Sequence, residues 1–400
     1  MKKLLFIYSL ALFFSCTNKK VKKQGHEGEN SFSLTYEEAK NLEHKLYQEY
    51  AADLLLKRSL EIENKLISIE NLNLKYHIRF FGEMPSTGWS LFISLHGGGG
   101  VDPSINERQW NRHKGLYQLK QGILLTPRSP TDTWNMWHQE HIDKILNRLI
   151  QNMIAKYKIN PNKVFLLGYS AGGDGVYQLA PRMADRFAAA SMSAGHPNDA
   201  SPLGLRNIGF AIHMGENDSA YNRNTVAEEW KSELERLKNI DPSGYNHMVK
   251  IYENRGHQIS HAKENYILEN NNNGIDSSGI LWMSKFTRIP YPKKIVWRQD
   301  DVTHNRFYWL KVNEPEKNSL IIASIEGQLI KVSNSTVNEI IIRLNDNLLN
   351  MDDKIKVIYE GKEIFSGYVP RRKEVILSSL NEYGDPESVY YGEISVSFDN

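Results

Sequence analysis

Val164-Phe165-Leu166-Leu167-Gly168-Tyr169-Ser170-Ala171-Gly172-Gly173 is the stretch on which the reading of this chain turns. Its four leading apolar residues read as a short buried strand. Gly168 to Gly172 then fits G-x-S-x-G, in which a serine sits on a sharp strand-to-helix turn. Such a turn strains the backbone and brings neighbouring segments very close. Glycines two residues before and after the serine remove the Cβ atoms that would collide. The serine oxygen is then exposed at the carboxyl edge of a sheet, and Asp174 to Ala180 supply the helix beneath it. A five-residue pattern recurs by chance, so its weight depends on its surroundings.

Outward from this turn, short apolar strands alternate with helical stretches. Asn73–Phe81 and Ser90–Leu95 read as strands joined by a turn at Gly82–Gly88, and Ile123–Thr126 as another. Ile142–Tyr157 reads as a helix. Downstream, Phe187–Met192 and Phe210–Met214 are strands, Val226–Leu237 is a helix, and Val249–Tyr252 is the last strand. This alternation predicts a mostly parallel sheet covered on both faces. Over about residues 70–290 the sequence resembles the α/β-hydrolase family, and more narrowly its branch of polyhydroxybutyrate-depolymerase-like and feruloyl or acetylxylan esterases. The resemblance implies a doubly wound sheet and a triad in the order Ser, acid, His.

Two positions downstream of Ser170 match that order. His213-Met214-Gly215-Glu216-Asn217-Asp218 follows an apolar strand and ends in a loop; Asp218 matches the family's acid, with Glu216 as the alternative. Tyr252-Glu253-Asn254-Arg255-Gly256-His257 follows the last strand, and His257 matches the family's histidine, with His261 as its rival. Ile259 stands two residues on, where the family often has an aromatic. The roles follow from proton bookkeeping. A serine hydroxyl is a weak nucleophile, so His257 must take its proton and return it to the leaving group. Asp218 must fix the imidazole tautomer and stabilise the imidazolium.

Leu91–Leu95 leads directly into His96-Gly97-Gly98-Gly99-Gly100, an HGGG-type loop of the kind that donates backbone N–H groups to an oxyanion. Gly98 is the expected loop donor and Ala171 the second. Trp134-Asn135-Met136-Trp137-His138 falls in the loop after the next strand. Trp134, Trp137 and His96 are expected in the substrate cleft, where the tryptophans either stack on a sugar or phenolic ring or pack beneath the loop. His138 and His196 are further cleft candidates. No metal motif, cysteine pair or G-x-G-x-x-G fingerprint occurs, and no cofactor is expected.

Lys2 and Lys3 precede an apolar run from Leu4 to Phe14, followed by Ser15 and Cys16, the only cysteine. This charged n-region and short h-region resembles a bacterial lipoprotein signal, in which Cys16 is lipidated. Phe13 and Phe14 depart from the usual residues before the cysteine. The expected divisions are 1–16 signal and lipobox, 17–33 flexible tether, 34–68 helical segment, 69–292 catalytic domain and 296–400 a small all-β, sandwich-like domain. In the helical segment, Leu42, Leu46, Tyr50, Leu54 and Leu55 recur at helical spacing, and Thr35 with Glu38 suggests a capping box. In the carboxyl domain Leu320–Ile325, Glu339–Leu344, Lys354–Tyr359, Val375–Leu377 and Glu393–Phe398 read as strands, after a linker marked by Pro290 and Pro292. Residues 296–400 carry no catalytic candidate and are expected to be dispensable for the chemical step. Trp297, Tyr308, Trp309, Tyr390 and Tyr391 read as packing residues rather than glycan platforms.

The chain carries 49 Lys and Arg against 47 Asp and Glu; six of those Lys and no acid fall within residues 1–23, leaving 43 against 47. That slightly acidic body has no nucleic-acid footprint. The composite expectation is a lipid-anchored cell-envelope serine hydrolase acting on carboxylic esters, with acylated carbohydrate as partner. The alternatives are a serine peptidase of the same fold and a non-catalytic glycan-binding lipoprotein on the same scaffold.

Overall fold

The computed structural model describes residues 33–259 and 279–398. Cys16 and His261 lie outside the described residues. From Ser33 onward the chain is one compact unit. Both halves of the capping box form at the start of α1 (Tyr36–Lys57): the Glu38 N–H donates to the Thr35 hydroxyl at 3.3 Å, and the Thr35 N–H donates to the Glu38 carboxylate at 2.8 Å. The helical segment breaks at Arg58, whose guanidinium turns inward to the Gln151 and Asn152 side-chain oxygens, each at 3.0 Å. α2 (Ser59–Glu63) follows. Among the described residues no helix is long and apolar enough to cross a membrane.

The sheet has eight strands: β1 (Leu66–Ile69), β2 (Leu72–Phe81), β3 (Trp89–Leu95), β4 (Gly122–Pro127), β5 (Ile159–Tyr169), β6 (Ala189–Ser193), β7 (Gly209–Gly215) and β8 (His247–Tyr252). Their order is β1-β2-β4-β3-β5-β6-β7-β8. β1 and β2 pair antiparallel, as do β2 and β4; every other pairing is parallel. β4 therefore lies between the two strands that the Gly82–Gly88 turn joins. α3 (Pro103–Leu116), α4 (Glu140–Tyr157), α5 (Ala171–Arg182) and α6 (Arg223–Ile240) are the connecting helices. α3 leads from β3 to its neighbour on one side and α5 leaves β5 on the other. The loops after β3 and β5 thus diverge at a topological switch point, where ligands bind in open α/β sheets.

The pleat sorts the apolar residues. Leu91, Ile93 and Leu95 of β3 join Val164 and Leu166 of β5 in one buried cluster, while Phe92, Phe165 and Leu167 join a second on the opposite face. Two buried faces require continuous apolar runs, which is why these strands do not alternate with polar residues.

After α7 (Ile280–Met283) come the expected β sheets. Lys294–Arg298, Leu320–Glu326, Leu329–Ser335, Ile355–Tyr359 and Lys362–Gly367 form a five-stranded sheet. Arg306–Phe307, Leu310–Lys311, Glu339–Leu344 and Gly392–Ser397 form a four-stranded one. One expected strand is a helix: Val375–Leu377 lies within α8 (Lys373–Tyr383), which buries Val375, Ile376, Ser379 and Leu380 at helical spacing. Trp297, Tyr308, Trp309, Tyr390 and Tyr391 are all buried. They pack, and offer no ring to a glycan. The carboxyl region shares one continuous apolar core with the eight-stranded sheet. Buried charges also cross between them. Arg186 and Arg288 approach Asp385 at 3.2 and 2.8 Å, and Asp143 receives Arg182 at 2.6 Å and His304 at 2.8 Å. Burial raises the Asp385 carboxyl, but Arg288 and Arg186 outweigh it and hold that carboxyl below the usual range.

Candidate active site

Ser170 follows β5 with φ 59° and ψ −125°, a conformation a non-glycine residue adopts only under strain. The surrounding segments enforce it. A Cβ on Gly172 would lie 2.1 Å from the Leu95 carbonyl oxygen, and one on Gly168 would lie 2.1 Å from the Gly172 carbonyl oxygen. The turn therefore closes only with hydrogen at both positions. α5 starts at Ala171, and the Asp174 N–H donates to the Ser170 carbonyl at 3.0 Å.

The structure brings Ser170, His257 and Asp218 together. Ser170 Oγ is 2.9 Å from His257 Nε2, and His257 Nδ1 is 2.7 Å from Asp218 Oδ2. Since a carboxylate only accepts, Nδ1 carries the proton and Nε2 is left to accept from the serine hydroxyl. The two loops that carry Asp218 and His257 are stitched to each other. The Asn217 N–H donates to the Arg255 carbonyl at 2.7 Å, and the Asn254 N–H donates to the Glu216 carboxylate at 2.8 Å. Glu216, the alternative acid, is thus a brace for the histidine loop. A further brace comes from the variable residue of the elbow itself: the Tyr169 hydroxyl donates to the His257 carbonyl at 2.5 Å and accepts the Ile259 N–H at 3.2 Å.

The glycine loop after β3 faces Ser170. A Cβ on Gly97 would lie 3.1 Å from Ser170 Cβ, and Gly98 has φ +115°, where a Cβ would strike Asn106 Oδ1 at 1.9 Å. The Gly99 and Gly100 amides are already engaged, with Asn106 Oδ1 at 2.8 Å and the Asp132 carbonyl at 2.9 Å. Among the described residues, the Gly97 and Gly98 amides have no such partner. Asn106 is itself held by donating to Asp132 at 2.8 Å, and Asp132 is paired with Arg128.

Of the three residues expected in the cleft, two are inside the protein. His96 and Trp137 have no exposed surface. His96 Nδ1 donates to the Gly97 carbonyl at 2.7 Å, its Nε2 accepts the Ser129 N–H at 3.2 Å, and Trp137 Nε1 donates to the His96 carbonyl at 2.8 Å. Burial lowers the His96 imidazole to about 4, so it is a neutral brace under the loop. Trp134 is 63% exposed and its backbone borders Gly99 and Gly100. His138 packs edge-on against the Trp134 ring at 5.3 Å. His196 is turned to Asn198, and its N–H donates to Asp174 at 2.7 Å.

Beside Ser170 lies a cavity of about 190 Å³ lined by Gly97, Gly98, Tyr169, His257, Gln258 and a face of α3. The α3 residues are Gln109, Arg112, His113 and Leu116. α3 is absent from the sequence reading because its interior is polar. Its signal was the start: Asp102 caps it by accepting the Ser104 N–H at 2.8 Å, and Pro103 opens it. Also unanticipated is Asp174, whose carboxyl burial raises to about 6.

A mostly parallel sheet, a strained serine after its central strand and a histidine after its last strand define the α/β-hydrolase fold. Within it, residues 115–276 match the profile of the Dienelactone hydrolase family. A stretch of 140 residues, 34% of the chain, is 28% identical to the bifunctional acetylxylan esterase/xylanase XynS20E of Neocallimastix patriciarum. The match spans 20% of that relative's length. Similar solved structures include a thermostable esterase, at 18% identity and TM-score 0.39 over 57% of this chain and 64% of that one. Another is the acetyl xylan esterase from Aspergillus awamori, at 14% identity and TM-score 0.30 over 38% of this chain and 72% of that one.

Proposed function

We propose that this protein is a serine hydrolase of carboxylic esters, acting on acyl groups carried by polysaccharides or their fragments. The observation that carries the reading is the unbroken relay from Ser170 Oγ through His257 to Asp218, at 2.9 and 2.7 Å. His257 removes the serine proton as Oγ attacks the ester carbonyl carbon. The carbonyl oxygen becomes an oxyanion held by the Gly98 and Ala171 amides. The tetrahedral intermediate collapses, the C–O bond to the alcohol breaks, and His257 returns the proton to the departing alkoxide. Water then attacks the acyl-Ser170 carbonyl carbon, giving its proton to His257; the C–Oγ bond breaks, His257 returns that proton to Ser170 Oγ, and the acid leaves. The substrate class is supported by the acetylxylan esterase relative and by the exposed Trp134 ring beside the glycine loop.

The test is incubation with a fluorophosphonate probe followed by mapping of the labelled residue, with acetylated and feruloylated oligosaccharides and peptide amides assayed in parallel. Labelling at Ser170 with release of acetate or hydroxycinnamate is expected. No labelling, or turnover of peptides alone, overturns the reading. The same proposal places the protein in the cell envelope, anchored through a lipid on Cys16; metabolic fatty-acid labelling that persists in Cys16→Ser overturns that part.

A further inference from the structure

Gln109, Arg112, His113 and Leu116 recur at three- and four-residue spacing, so one face of α3 forms a wall of the cavity beside Ser170. The ionisation of that wall is one-sided. None of the ten lining residues is acidic. Asp218, the carboxylate of the relay, is buried behind His257 with its side chain 1% exposed. His113 accepts or donates through Nδ1 to Ser94 Oγ at 3.2 Å, and its burial lowers it to about 3, with His96 and Arg112 adding to the effect. It adds no charge. Among the described residues, Arg112 is therefore the one permanent ion lining the cavity.

Arg108, on the same helix, is likewise exposed and unpaired among the described residues but does not line the cavity; two other arginines near α3 are spoken for. Arg128 pairs with Asp132 and with Glu107 at 3.5 Å. Arg79 donates to the Lys114 and Tyr117 carbonyls at 3.2 and 3.4 Å and lies over the Phe81 ring. Arg112 is exposed at the cavity and, among the described residues, makes no ion pair or hydrogen bond. What sets Arg112 apart from Arg108 is its place in the cavity wall beside Ser170. The cavity's other polar side chains include the Gln109 and Gln258 amides, which are able to donate to an anion. A guanidinium offers two parallel N–H groups that match a carboxylate.

We infer that Arg112 is a specificity residue that selects esters carrying a carboxylate group of their own, in an arrangement where that carboxylate reaches the α3 wall while the ester carbonyl lies at Ser170. This rests on the ester-hydrolase reading above. The carboxylate rides either on the acyl part, as in a half-ester of a dicarboxylic acid, or on the alcohol part, as in an acylated acidic sugar or phenolic acid. The recognising chemistry is the same.

The experiment compares two pairs of substrates that differ in charge at nearly constant size. 4-Nitrophenyl hydrogen succinate against 4-nitrophenyl butanoate places the charge on the acyl side. 4-Acetoxybenzoate against 4-acetoxybenzamide places it on the alcohol side. The wild-type protein is expected to favour the charged member of one pair by about tenfold in kcat/KM, the scale of a charge-assisted hydrogen bond. The preference should fall towards one in Arg112→Gln, return in part in Arg112→Lys, and weaken with added salt. The pair that shows it identifies the side that carries the anion. Hydrolysis without preference for either charged member, or a preference that survives Arg112→Gln in a variant folded by circular dichroism, overturns this inference and leaves the esterase reading standing. No hydrolysis of any of the four overturns both.

Discussion

Arg223 Nη1 lies 3.7 Å from Asp218 Oδ1, on the side of the carboxylate that His257 does not use. The acid is thus held from two directions, by His257 on Oδ2 and by a guanidinium that itself stacks on the Tyr221 ring at 4.9 Å. Asp218→Asn preserves the shape but favours the wrong tautomer, and turnover is expected to fall on the order of 10⁴. Arg223→Gln leaves the His257 contact intact and should cost about tenfold, the equivalent of ~1.4 kcal/mol in the barrier. Glu216→Gln, which touches only the histidine loop, should cost less than Asp218→Asn by orders of magnitude. Steady-state kinetics on a nitrophenyl ester check the ranking, with Ser170→Ala as the floor; a crippled Glu216→Gln beside a healthy Asp218→Asn reverses the assignment.

Asp174 supplies a prediction about pH. Its carboxyl titrates near 6 in the folded protein, raised by burial from 3.8. Between those values the folded chain holds a proton that the unfolded chain has released, so stability falls as pH rises through the window. Above it the cost is complete, about 3 kcal/mol for a shift of this size. Asp174→Asn keeps an oxygen for the His196 N–H and removes the charge. It should raise the denaturation free energy by up to that amount at pH 8 and by little at pH 4. Equal gains at the two pH values in urea titrations count against it.

Asn106 ties the glycine loop to Asp132. Asn106→Ala frees the Gly99 amide and lets the loop wander from Ser170. Displacement of about 1 Å at a catalytic donor costs on the order of 10². The loss should appear in kcat, since the ground-state ester does not yet carry the oxyanion. A variant whose defect lies wholly in KM contradicts this account of the loop.

Asp385 neutralises two arginines from the catalytic layer, both fully buried. Asp385→Asn removes the carboxylate that pairs with both Arg186 and Arg288, leaving Asp185 as the one nearby negative group acting on both among the described residues. The expected loss is about 3–5 kcal/mol, the range for breaking a buried pair by removing one partner. Chain truncated near Pro292 loses the same carboxylate and opens the shared core, so it should be insoluble. A soluble, folded truncation that hydrolyses a small ester would return residues 296–400 to the dispensable role that their strand pattern suggests.

The parts of this fold that were legible in the sequence are local ones. The elbow shows because sterics demand glycines at set offsets from Ser170, and the central strands show because two buried faces demand unbroken apolar runs. The order Ser170, Asp218, His257 was readable through resemblance. α3 was not, because a helix that points Gln109 and Arg112 at a cavity has no apolar stripe to give it away. Val375–Leu377 was misread because three apolar residues fit either period. His96 and Trp137 look like cleft residues by position. Only the packing reveals that the loop above them is thin enough to need a floor. The Arg186–Asp385 pair joins residues 199 positions apart, and no local pattern announces such a pairing.

That last pair also sets an order of events. A ribosome delivers the whole eight-stranded sheet, Ser170 and His257 before the Asp385 carboxylate that pairs with Arg186 and Arg288 exists. Until Asp385 arrives, the nascent sheet layer holds two guanidinium groups that lack that partner, and the surface around them must stay open. The residues around Ser170 are encoded early, and the carboxylate that pairs with the buried arginines comes late. A nonsense mutation upstream of codon 385 would therefore remove that carboxylate from a chain in which Ser170, Asp218 and His257 had already been translated.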